Sequence, residues 1–404
     1  MSAGLIFRPD VIWDIAMKSS ATRILTTHAG RLDGPPEFRA LGRALFTGAP
    51  PDYAALKAAV RPAMVDVVRR QAASGVDVIS DGEIGKIGFG LAYYGKRLSG
   101  LSSRPVKPGE PGWMSAHTGE RIEFAEFYSE MPWPKPSERV VVTGAIKYIG
   151  QDEVRRDLEL FQGALAEAGV TAEETFMCVL APGWLEHFFY NENYENDEDY
   201  LFALADAIRH EYKAIVDAGF VLQIDDPALP DTYDMIVPAP SIDEYRKFAE
   251  VRVEAVNRAL EGIPPDRVRY HICWGSWHGP HTHDLPLEHV IDLMLRVRAG
   301  AYSVEAANPR HEHEWKLWKR VSLPPEKLLI PGVVSHATNV VEHPEIVADR
   351  IVRFASIVGR ERVIAGTDCG LGFRVHPQIA WAKLKALSEG AALATRQLWG
   401  GGAA

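Results

Sequence analysis

Short, nearly continuous apolar runs alternate along the chain with longer segments whose apolar residues recur every three or four positions. Apolar runs that end in Gly, Pro, Asp or Glu are typical of parallel strands buried on both faces. They occupy residues 23–30, 76–83, 139–146, 175–183, 220–227, 268–275, 301–307, 328–334 and 362–370. The sequence therefore predicts nine strands with helices between them.

The clearest amphipathic segment spans residues 197–218. Its apolar positions, which include Leu201, Leu204 and Ile208, form one stripe along a helix. Gly219 follows as a stop signal. Less regular versions of the pattern predict helices at 53–73, 152–168, 242–261, 286–299 and 344–358.

Repeated strand–helix units imply a parallel sheet with right-handed crossovers. Such a sheet either closes into a barrel or stays open with helices on both faces. A barrel of eight strands would leave one of the nine runs as an accessory strand. No G-x-G-x-x-G motif opens a helix after the first run, which weakens a dinucleotide-binding interpretation of an open sheet.

Residues 100–138 interrupt the alternation, with many Pro, Gly and Ser residues and little periodicity. A loop of this length in a compact domain is usually a lid, an oligomer arm or disordered. We therefore expect an N-terminal extension at 1–20, one barrel at 21–395 that carries 100–138 as an inserted lid or oligomer arm, and a flexible tail at 396–404. An oligomer arm would make the protein a homo-oligomer.

Charge and cysteine content exclude several classes of partner. The 404 residues carry a formal charge of −10, which argues against a general affinity for nucleic acid or an anionic membrane. Only three cysteines occur, far apart, so a reducing environment fits better than a disulfide framework. The first 20 residues lack the ordered features of a secretion signal, and no apolar segment is long enough to span a membrane. We expect a cytoplasmic protein.

Polar residues gather where the predicted strands end. In a parallel barrel these ends share one rim, where active sites lie. This many polar residues at strand ends predicts a single polar site assembled by the fold. The residues are His28, Glu83, Asp225, Asp226, His271, Cys273, Glu305, His336, Asp368 and Cys369.

Four of these residues form a candidate metal site. His271 and Cys273 are two apart on one strand, so both side chains point to the same face. Glu305 and Cys369 end later strands and complete a tetrahedral set of the kind that zinc prefers. The structural alternative is that both cysteines are buried apolar residues and that His271 is a core histidine.

Two other groups of polar residues allow different interpretations. Asp225 and Asp226 are adjacent on a strand and point opposite ways, so we expect one at the site and one in an outer contact. Histidines at 278, 281, 283, 311 and 313 lie in histidine-rich loops, and loops of this kind can bind metal. We favour solvated histidines or histidines packed on aromatic rings. No G-x-S-x-G motif supports a serine hydrolase.

Several motifs together resemble a known family. They are "SDGE" (80–83), "QIDDPAL" (223–229), "HICWG" (271–275), "SVEAANPRHEHEW" (303–315), "IPGVVSHATNVVEHPE" (330–345) and "AGTDCG" (365–370). In these the chain resembles the catalytic half of cobalamin-independent methionine synthase, in the superfamily that also contains uroporphyrinogen decarboxylase. Its single-barrel branch, which includes epoxyalkane:coenzyme M transferase, is the most similar.

The resemblance implies an α/β fold, a single-domain TIM (β/α)8 barrel, with Zn²⁺ at its C-terminal mouth. The implied metal ligands are His271, Cys273, Glu305 and Cys369. In the family, zinc binds the acceptor thiol and holds it as a thiolate, since a free thiol is mostly protonated at neutral pH. Glu305 is then the ligand that leaves when the substrate sulfur arrives.

The resemblance also assigns roles to residues around the metal. It implies that Glu83 and Asp225 bind the amino group of homocysteine. His336 is the candidate catalytic residue, which shuttles the proton to or from the leaving atom. His28, at the mouth of the first strand, is a further substrate-binding candidate.

Two positions depart from the family pattern. Arg31 follows "TTHAG" where the synthases carry a serine that contacts the substrate carboxylate. An arginine there would suit a different anion, including a sulfonate. Phe188 stands near the position of a family tryptophan associated with the folate. Both departures bear on substrate identity and not on the metal site.

The resemblance thus implies a zinc-dependent transferase that alkylates a small thiol. Its narrow form is methyl transfer to homocysteine, with a methylated tetrahydrofolate as candidate co-substrate. The alternatives are addition of a coenzyme M-like thiol to an epoxide, and methyl transfer from a corrinoid or another methyl donor. A non-catalytic zinc- or thiol-binding barrel is the alternative of a different class. In every case the expected partners are small molecules.

Overall fold

Eleven strands and fourteen helices are found in the computed structural model, which describes residues 16–47, 50–110, 118–131, 137–236 and 238–400. The strands are β1 Leu25–Thr26, β2 Val78–Ser80, β3 Leu101–Pro105, β4 Glu138–Val142, β5 Glu174–Leu180, β6 Tyr190–Asn191, β7 Val221–Asp225, β8 Val268–Ile272, β9 Ala301–Val304, β10 Leu328–Val334 and β11 Ile364–Thr367. The helices are α1 Pro36–Gly42, α2 Ala44–Thr47, α3 Tyr53–Ala73, α4 Phe89–Tyr94, α5 Thr118–Glu123, α6 Ala125–Glu130, α7 Gln151–Ala168, α8 Pro182–Leu185, α9 Asp197–Asp217, α10 Ala228–Asp231, α11 Ile242–Ala259, α12 Ile291–Met294, α13 Pro344–Val358 and α14 Pro377–Trp399.

Eight parallel strands form a nearly closed ring. They lie in the order β1-β11-β10-β9-β8-β7-β5-β2, and each pair of neighbours is parallel. The two end strands meet where Asp77 N donates to Thr26 O at 3.2 Å and Thr27 Oγ1 donates to Val78 O at 3.0 Å. The predicted TIM (β/α)8 barrel is confirmed, and the alternative of an open sheet is wrong.

The patterns of the sequence explain the elements. The barrel strands β2, β8, β9, β10 and β11 are buried at every position, as continuous apolar runs require. Helix α9 begins where the Asn196 side chain accepts from Asp199 N, and three acidic residues in its first turn complement the helix dipole. The helix ends just before Gly219, as predicted.

Most predicted elements are found, with two differences. The run at 139–146 contains β4, which is outside the barrel and pairs with β3 and β6, so one of the nine runs is accessory as expected. The predicted helix at 286–299 is wrong, because it breaks into a 3-10 turn at Leu287–His289 and the four-residue α12. Val290 has φ −134° between them, and apolar side chains are buried on several sides of this segment.

The inserted segment 100–138 has secondary structure of its own. Strand β3 pairs antiparallel with β4, and helices α5 and α6 follow. Residues 111–117 and 132–136 of the insert, with 1–15 of the predicted extension and 401–404 of the predicted tail, lie outside the described residues. Residues 396–399 of that tail belong to α14. No helix among the described residues is both long enough and apolar enough to cross a membrane.

Candidate active site and metal centre

A cavity of about 380 Å³ opens at the carboxyl ends of the barrel strands. Loops after different strands supply its wall, which is why residues far apart in the sequence meet there. Five of the predicted site residues line it, namely Glu83, Asp225, His271, Cys273 and Cys369. The structure therefore brings the thiol, imidazole and carboxylate groups to one site.

The predicted metal ligands His271, Cys273 and Cys369 form one cluster. Their donor atoms all lie within 4.8 Å of one another. Strand β8 carries His271, and Cys273 follows two residues later on the same face, while Cys369 follows β11. The Ser303 hydroxyl lies 3.0 Å from His271 Nδ1 and orients the ring, whereas Nε2 is buried without a hydrogen-bond partner in the described part of the chain.

Electrostatics within the cluster distinguish the two thiols. Contact with Cys273 and with His271 lowers the pKa of Cys369 well below its usual range. The same contact with Cys369, together with burial, raises the pKa of Cys273 well above its usual range. The cluster thus favours a thiolate at Cys369 next to a retained proton. Two sulfurs and an unpartnered imidazole nitrogen converging on one point fit a soft divalent metal.

Glu305, the fourth predicted ligand, lies beside this cluster and is not part of it. Its carboxylate accepts hydrogen bonds from Trp274 N at 3.0 Å and from the Asn308 side chain. Its close titratable neighbours are His336 and Asp368, whose potential ligand atoms lie within 4.8 Å of its own. Burial, Asp368 and Cys369 raise the pKa of Glu305 well above its usual range. The Glu305 carboxyl therefore lies next to the thiols. Its hydrogen bonds to Trp274 and Asn308 would have to rearrange if Glu305 bound a metal.

His336, the predicted proton carrier, is buried next to Cys369 and outside the cavity lining. Burial lowers its pKa to about 4, so the ring is neutral at pH 7. Its Nδ1 atom has no hydrogen-bond partner among the residues that the structure describes. Burial thus disfavours the protonated ring, and the role of His336 as proton carrier stays a prediction.

The predicted substrate carboxylates Glu83 and Asp225 meet at a second cluster that includes Cys178. Lys86 Nζ lies 3.1 Å from Glu83 Oε2 and donates to Cys178 O at 2.6 Å. Gln223 Nε2 donates to Asp225 Oδ1 at 2.6 Å. Burial raises the pKa of Asp225 to about 7. The chain therefore places a lysine next to Glu83 and an amide side chain next to Asp225.

The adjacent acids at the end of β7 separate as predicted. Asp225 lines the cavity. Asp226 is fully buried elsewhere and accepts a hydrogen bond from Tyr270 OH at 2.6 Å. Alternation along the strand sends the two carboxylates to different surroundings, so they do not form an acid dyad.

His28 is placed below the cavity and does not line it. Its Nε2 lies 2.7 Å from Gln71 Oε1, and its Nδ1 accepts from Gly30 N at 3.1 Å. Burial lowers its pKa to about 4. With both ring nitrogens engaged, His28 fixes the loop after β1, and its role in substrate binding stays a prediction.

The histidine-rich loops pack on aromatic rings. His281 lies over Trp277 with ring centroids 3.9 Å apart, and His311 stacks on Trp274 at 3.7 Å. His311 is also held between Asp284 and Glu314. None of these histidines belongs to a potential metal cluster within the described ranges. The interpretation of packed rather than metal-binding histidines is the one these contacts support.

Several cavity residues have no signal in the sequence. The aromatic rings of Trp184 and Trp277 and the guanidinium-bearing Arg374 line the cavity with Phe188 and Arg31. Trp184 lies within the four-residue helix α8 and Arg374 lies five residues beyond Cys369, so neither falls on a strand end. The one sequence signal that Arg374 lies at the site is its position five residues after Cys369.

Comparison with known sequences identifies a family. The family model described as the catalytic domain of cobalamin-independent synthase matches residues 184–392, just over half of the chain. A methionine synthase of Thermococcus kodakarensis is 24% identical over 344 residues, which cover 84% of each chain. A methionine synthase of Saccharolobus solfataricus is 26% identical over 347 residues, covering 85% of this chain and 86% of that protein.

Solved structures show the same fold. A B12-independent methionine synthase from a Shewanella species, in complex with selenomethionine, superposes with a TM-score of 0.71 at 20% identity, covering 94% of this chain and 99% of that one. A structure from Listeria monocytogenes described as a putative vitamin-B12-independent methionine synthase has a TM-score of 0.63 at 17% identity, covering 93% of this chain and 99% of that one. On the evidence of the family match over residues 184–392, this chain belongs to the family of the cobalamin-independent synthase catalytic domain.

Proposed function

We propose that the protein is a zinc-dependent transferase that alkylates a small thiol, and that the reaction is methyl transfer to homocysteine. The observation that carries the proposal is the convergence of His271 Nε2 with the thiols of Cys273 and Cys369 inside a substrate-sized cavity. The family and its methionine synthase relatives support the methyl group and the acceptor.

Zinc would be held by His271, Cys273 and Cys369, with Glu305 as the neighbouring carboxylate. When bound, the metal supplies Lewis acidity that keeps a substrate thiol deprotonated at neutral pH. Ser303 orients the imidazole, and Trp274 N with Asn308 restrains Glu305. Hydrogen bonds of this kind set the direction in which the donor atoms point.

The reaction moves one methyl group and one proton. The substrate sulfur forms a bond to the methyl carbon, the bond from that carbon to the donor nitrogen breaks, and the thiol proton ends on the donor. In this proposal His336, which is buried next to Cys369 and has an unpartnered Nδ1 among the described residues, accepts and returns the proton once the substrate offsets the cost of charging its buried ring. The aromatic rings of Trp184, Phe188 and Trp277 exclude water from the cavity.

The same aromatic rings support a methylated tetrahydrofolate as the donor. Phe188 lines the cavity where the family tryptophan was expected, and Trp184 stands one helical turn before it with ring centroids 6.3 Å apart. The two ring planes are nearly perpendicular, so a flat pterin ring would stack on one of them and meet the edge of the other. Addition of the thiol to an epoxide remains the second candidate, because a neutral His336 near Cys369 could also carry a proton for an opening alkoxide.

The inserted segment is part of this proposal as a lid. Glu120 of α5 accepts a hydrogen bond from Thr282 N, and Tyr128 of α6 accepts from Trp277 Nε1 at 3.1 Å. Trp277 lines the cavity, so the insert holds one of its walls in place.

The direct test measures metal and thiol consumption in one preparation. Purified protein should contain one zinc per chain and consume homocysteine with a methylated tetrahydrofolate, forming methionine. Consumption with an epoxide and 2-mercaptoethanesulfonate, but not with the folate, would favour the second candidate. A protein with zinc and no thiol turnover with any donor would support a non-catalytic barrel.

A further inference from the structure

The loop after β10 carries His336 and is closed on itself by one carboxylate. Ser335 N, directly after the strand, donates to Glu342 Oε1 at 2.8 Å. These two residues are seven positions apart, so the bond joins the two ends of the loop 335–342. Ala337 N adds a local turn by donating to Ser335 Oγ at 3.1 Å. The position of His336 therefore depends on where Glu342 is held.

A lysine of α14 holds that carboxylate. The side chain of Lys383 is 0% exposed, and its Nζ lies 2.9 Å from Glu342 Oε2. The same ammonium group donates to Val340 O at 2.6 Å. Both oxygens of Glu342 thus have a partner, and the ion pair joins the loop to the helix. Loss of one member of a buried pair leaves the other charge without compensation, so neither member is dispensable.

Apolar burial contributes little to holding this loop. Val340 is 70% exposed and Val341 is 40% exposed, although both lie directly before the carboxylate that closes the loop. Segments with few buried apolar contacts open locally at a low free-energy cost. The Lys383–Glu342 pair therefore takes the place of apolar packing in fixing the loop.

Contacts to its backbone restrain His336. The His278 ring forms a hydrogen bond with the His336 backbone, and the bond from Ser335 N to Glu342 restrains the preceding residue. The Nδ1 atom of His336 has no hydrogen-bond partner among the described residues. A ring nitrogen that exchanges a proton with substrate has to stay open, so its direction must be set through the backbone.

We propose that Lys383 is a positioning residue of the reaction, whose buried ammonium acts through Glu342 to fix the loop that aims His336 at the substrate. The inference rests on the proposed function, in which His336 carries the proton. Lys383 does not line the cavity, so it acts on the reaction only through the loop. A displacement of about 1 Å in a reacting group can cost on the order of 100-fold in rate.

A double-mutant cycle separates positioning from general stability. Lys383→Met should lower kcat for homocysteine methylation about 10- to 100-fold when His336 is present. The zinc content and the KM for homocysteine should stay within about twofold, because neither depends on the proton carrier. In a His336→Gln background, Lys383→Met should change kcat by less than about threefold, since the group on which it acts is already gone.

Methyl iodide gives a second measurement that does not need the proton carrier. The homocysteine sulfur forms a bond to the methyl carbon, the carbon–iodine bond breaks, and iodide leaves without a proton. Lys383→Met and the parent protein, both loaded with zinc and homocysteine, should therefore form methionine from methyl iodide at rates within about twofold of each other. A disordered site would lower this rate together with kcat for the folate.

Lys385→Met is the matched control on the same helix. Its ammonium forms an exposed pair with Glu389, so kcat and stability should stay close to those of the parent. If Lys383→Met does not fold, Lys383→Met/Glu342→Leu removes both buried charges and replaces it in the cycle. This variant should fold and keep the loss in kcat, because no carboxylate closes the loop. Hydrogen–deuterium exchange over 335–342 should be faster in it and unchanged in Lys385→Met.

The outcomes separate this inference from the proposed function. If the parent protein alkylates no thiol with any donor, the proposed function fails and the inference fails with it. If the parent is active and Lys383→Met loses the same factor in kcat with and without His336, the lysine is structural and only the inference is wrong. The inference is also wrong if kcat is unchanged although exchange over the loop becomes faster, since the loop then need not be fixed.

Discussion

Two clusters of three potential ligands lie at the same cavity, and each includes at least one cysteine. They differ in whether other side chains of the protein already occupy the ligand atoms. At His271–Cys273–Cys369 the donor atoms face one another, and His271 Nε2 has no partner in the described part of the chain. At Glu83–Cys178–Asp225 the chain supplies Lys86 and Gln223.

The difference shows that residue types alone do not define a metal site. Burial raises the pKa of Cys178 well above its usual range, so this thiol stays protonated, whereas Cys369 is held towards the thiolate. Lys86 supplies a cation to the second cluster, whereas the first cluster brings together an imidazole and two thiols, the donor set that zinc prefers. We therefore expect metal at the first cluster alone.

The largest effect should come from removing a thiol of the first cluster. Cys273→Ser and Cys369→Ser should each lower zinc affinity on the order of 10³-fold or more, beyond the cost of a changed outer hydrogen bond, and abolish thiol alkylation. Metal content measured by mass spectrometry checks this, with Cys178→Ser as the matched control that keeps its zinc. Full zinc in both cluster variants would contradict the ligand set.

The second cluster should respond in stability instead of metal content. Lys86→Met leaves the Glu83 carboxylate buried without its ammonium partner and should lower the free energy of unfolding by about 3–5 kcal/mol. Urea denaturation measures the change. Lys213→Met, which removes an exposed pair with Asp217, is the control and should cost about 0–1 kcal/mol. An equal loss of unfolding free energy in both variants would contradict the prediction that the buried Lys86–Glu83 pair stabilises the fold more than an exposed pair does.

A smaller effect is expected at the support of the first cluster. Ser303→Ala removes the hydroxyl 3.0 Å from His271 Nδ1 and should weaken zinc binding about 10- to 100-fold. Competition with a chelator gives the affinity. The control Ser388→Ala removes a hydroxyl that donates to Leu384 O within α14, away from the metal cluster, and should leave zinc affinity unchanged. An unchanged affinity for Ser303→Ala would show that the metal alone orients the imidazole.

The last effect is a dependence of stability on pH, and it concerns the charged His311 next to Glu305. Burial would lower the pKa of His311, but its hydrogen bonds to Asp284 and Glu314 outweigh burial and raise it to about 10. A raised pKa contributes stability that is complete below the unfolded value near 6.5 and is lost as the pH rises through about 10. The free energy of unfolding should fall by about 1.4 kcal/mol per pH unit in this window. His311→Gln should flatten that slope, and an unaltered slope would assign it to other groups.

The sequence was most informative where the position of a residue within one strand or helix determines the direction of its side chain. Alternation along β8 put His271 and Cys273 on one face, and alternation along β7 separated Asp225 from Asp226. Repeated strand–helix units indicated a parallel sheet, and the accessory strand was anticipated by count. The predicted helix at 286–299 failed because Val290 and its neighbours are buried on several sides, which a single-stripe pattern does not reveal.

By itself the sequence determined the parallel α/β architecture, the strand ends that carry polar groups, and the pairing of His271 with Cys273. These follow from periodicities of the backbone that operate over a few residues. Only the tertiary structure decided that Lys86 neutralises Glu83, that Ser303 orients His271, and that Arg374 shares the cavity with Arg31. These contacts join loops after different strands, and the closure of the barrel sets their distances.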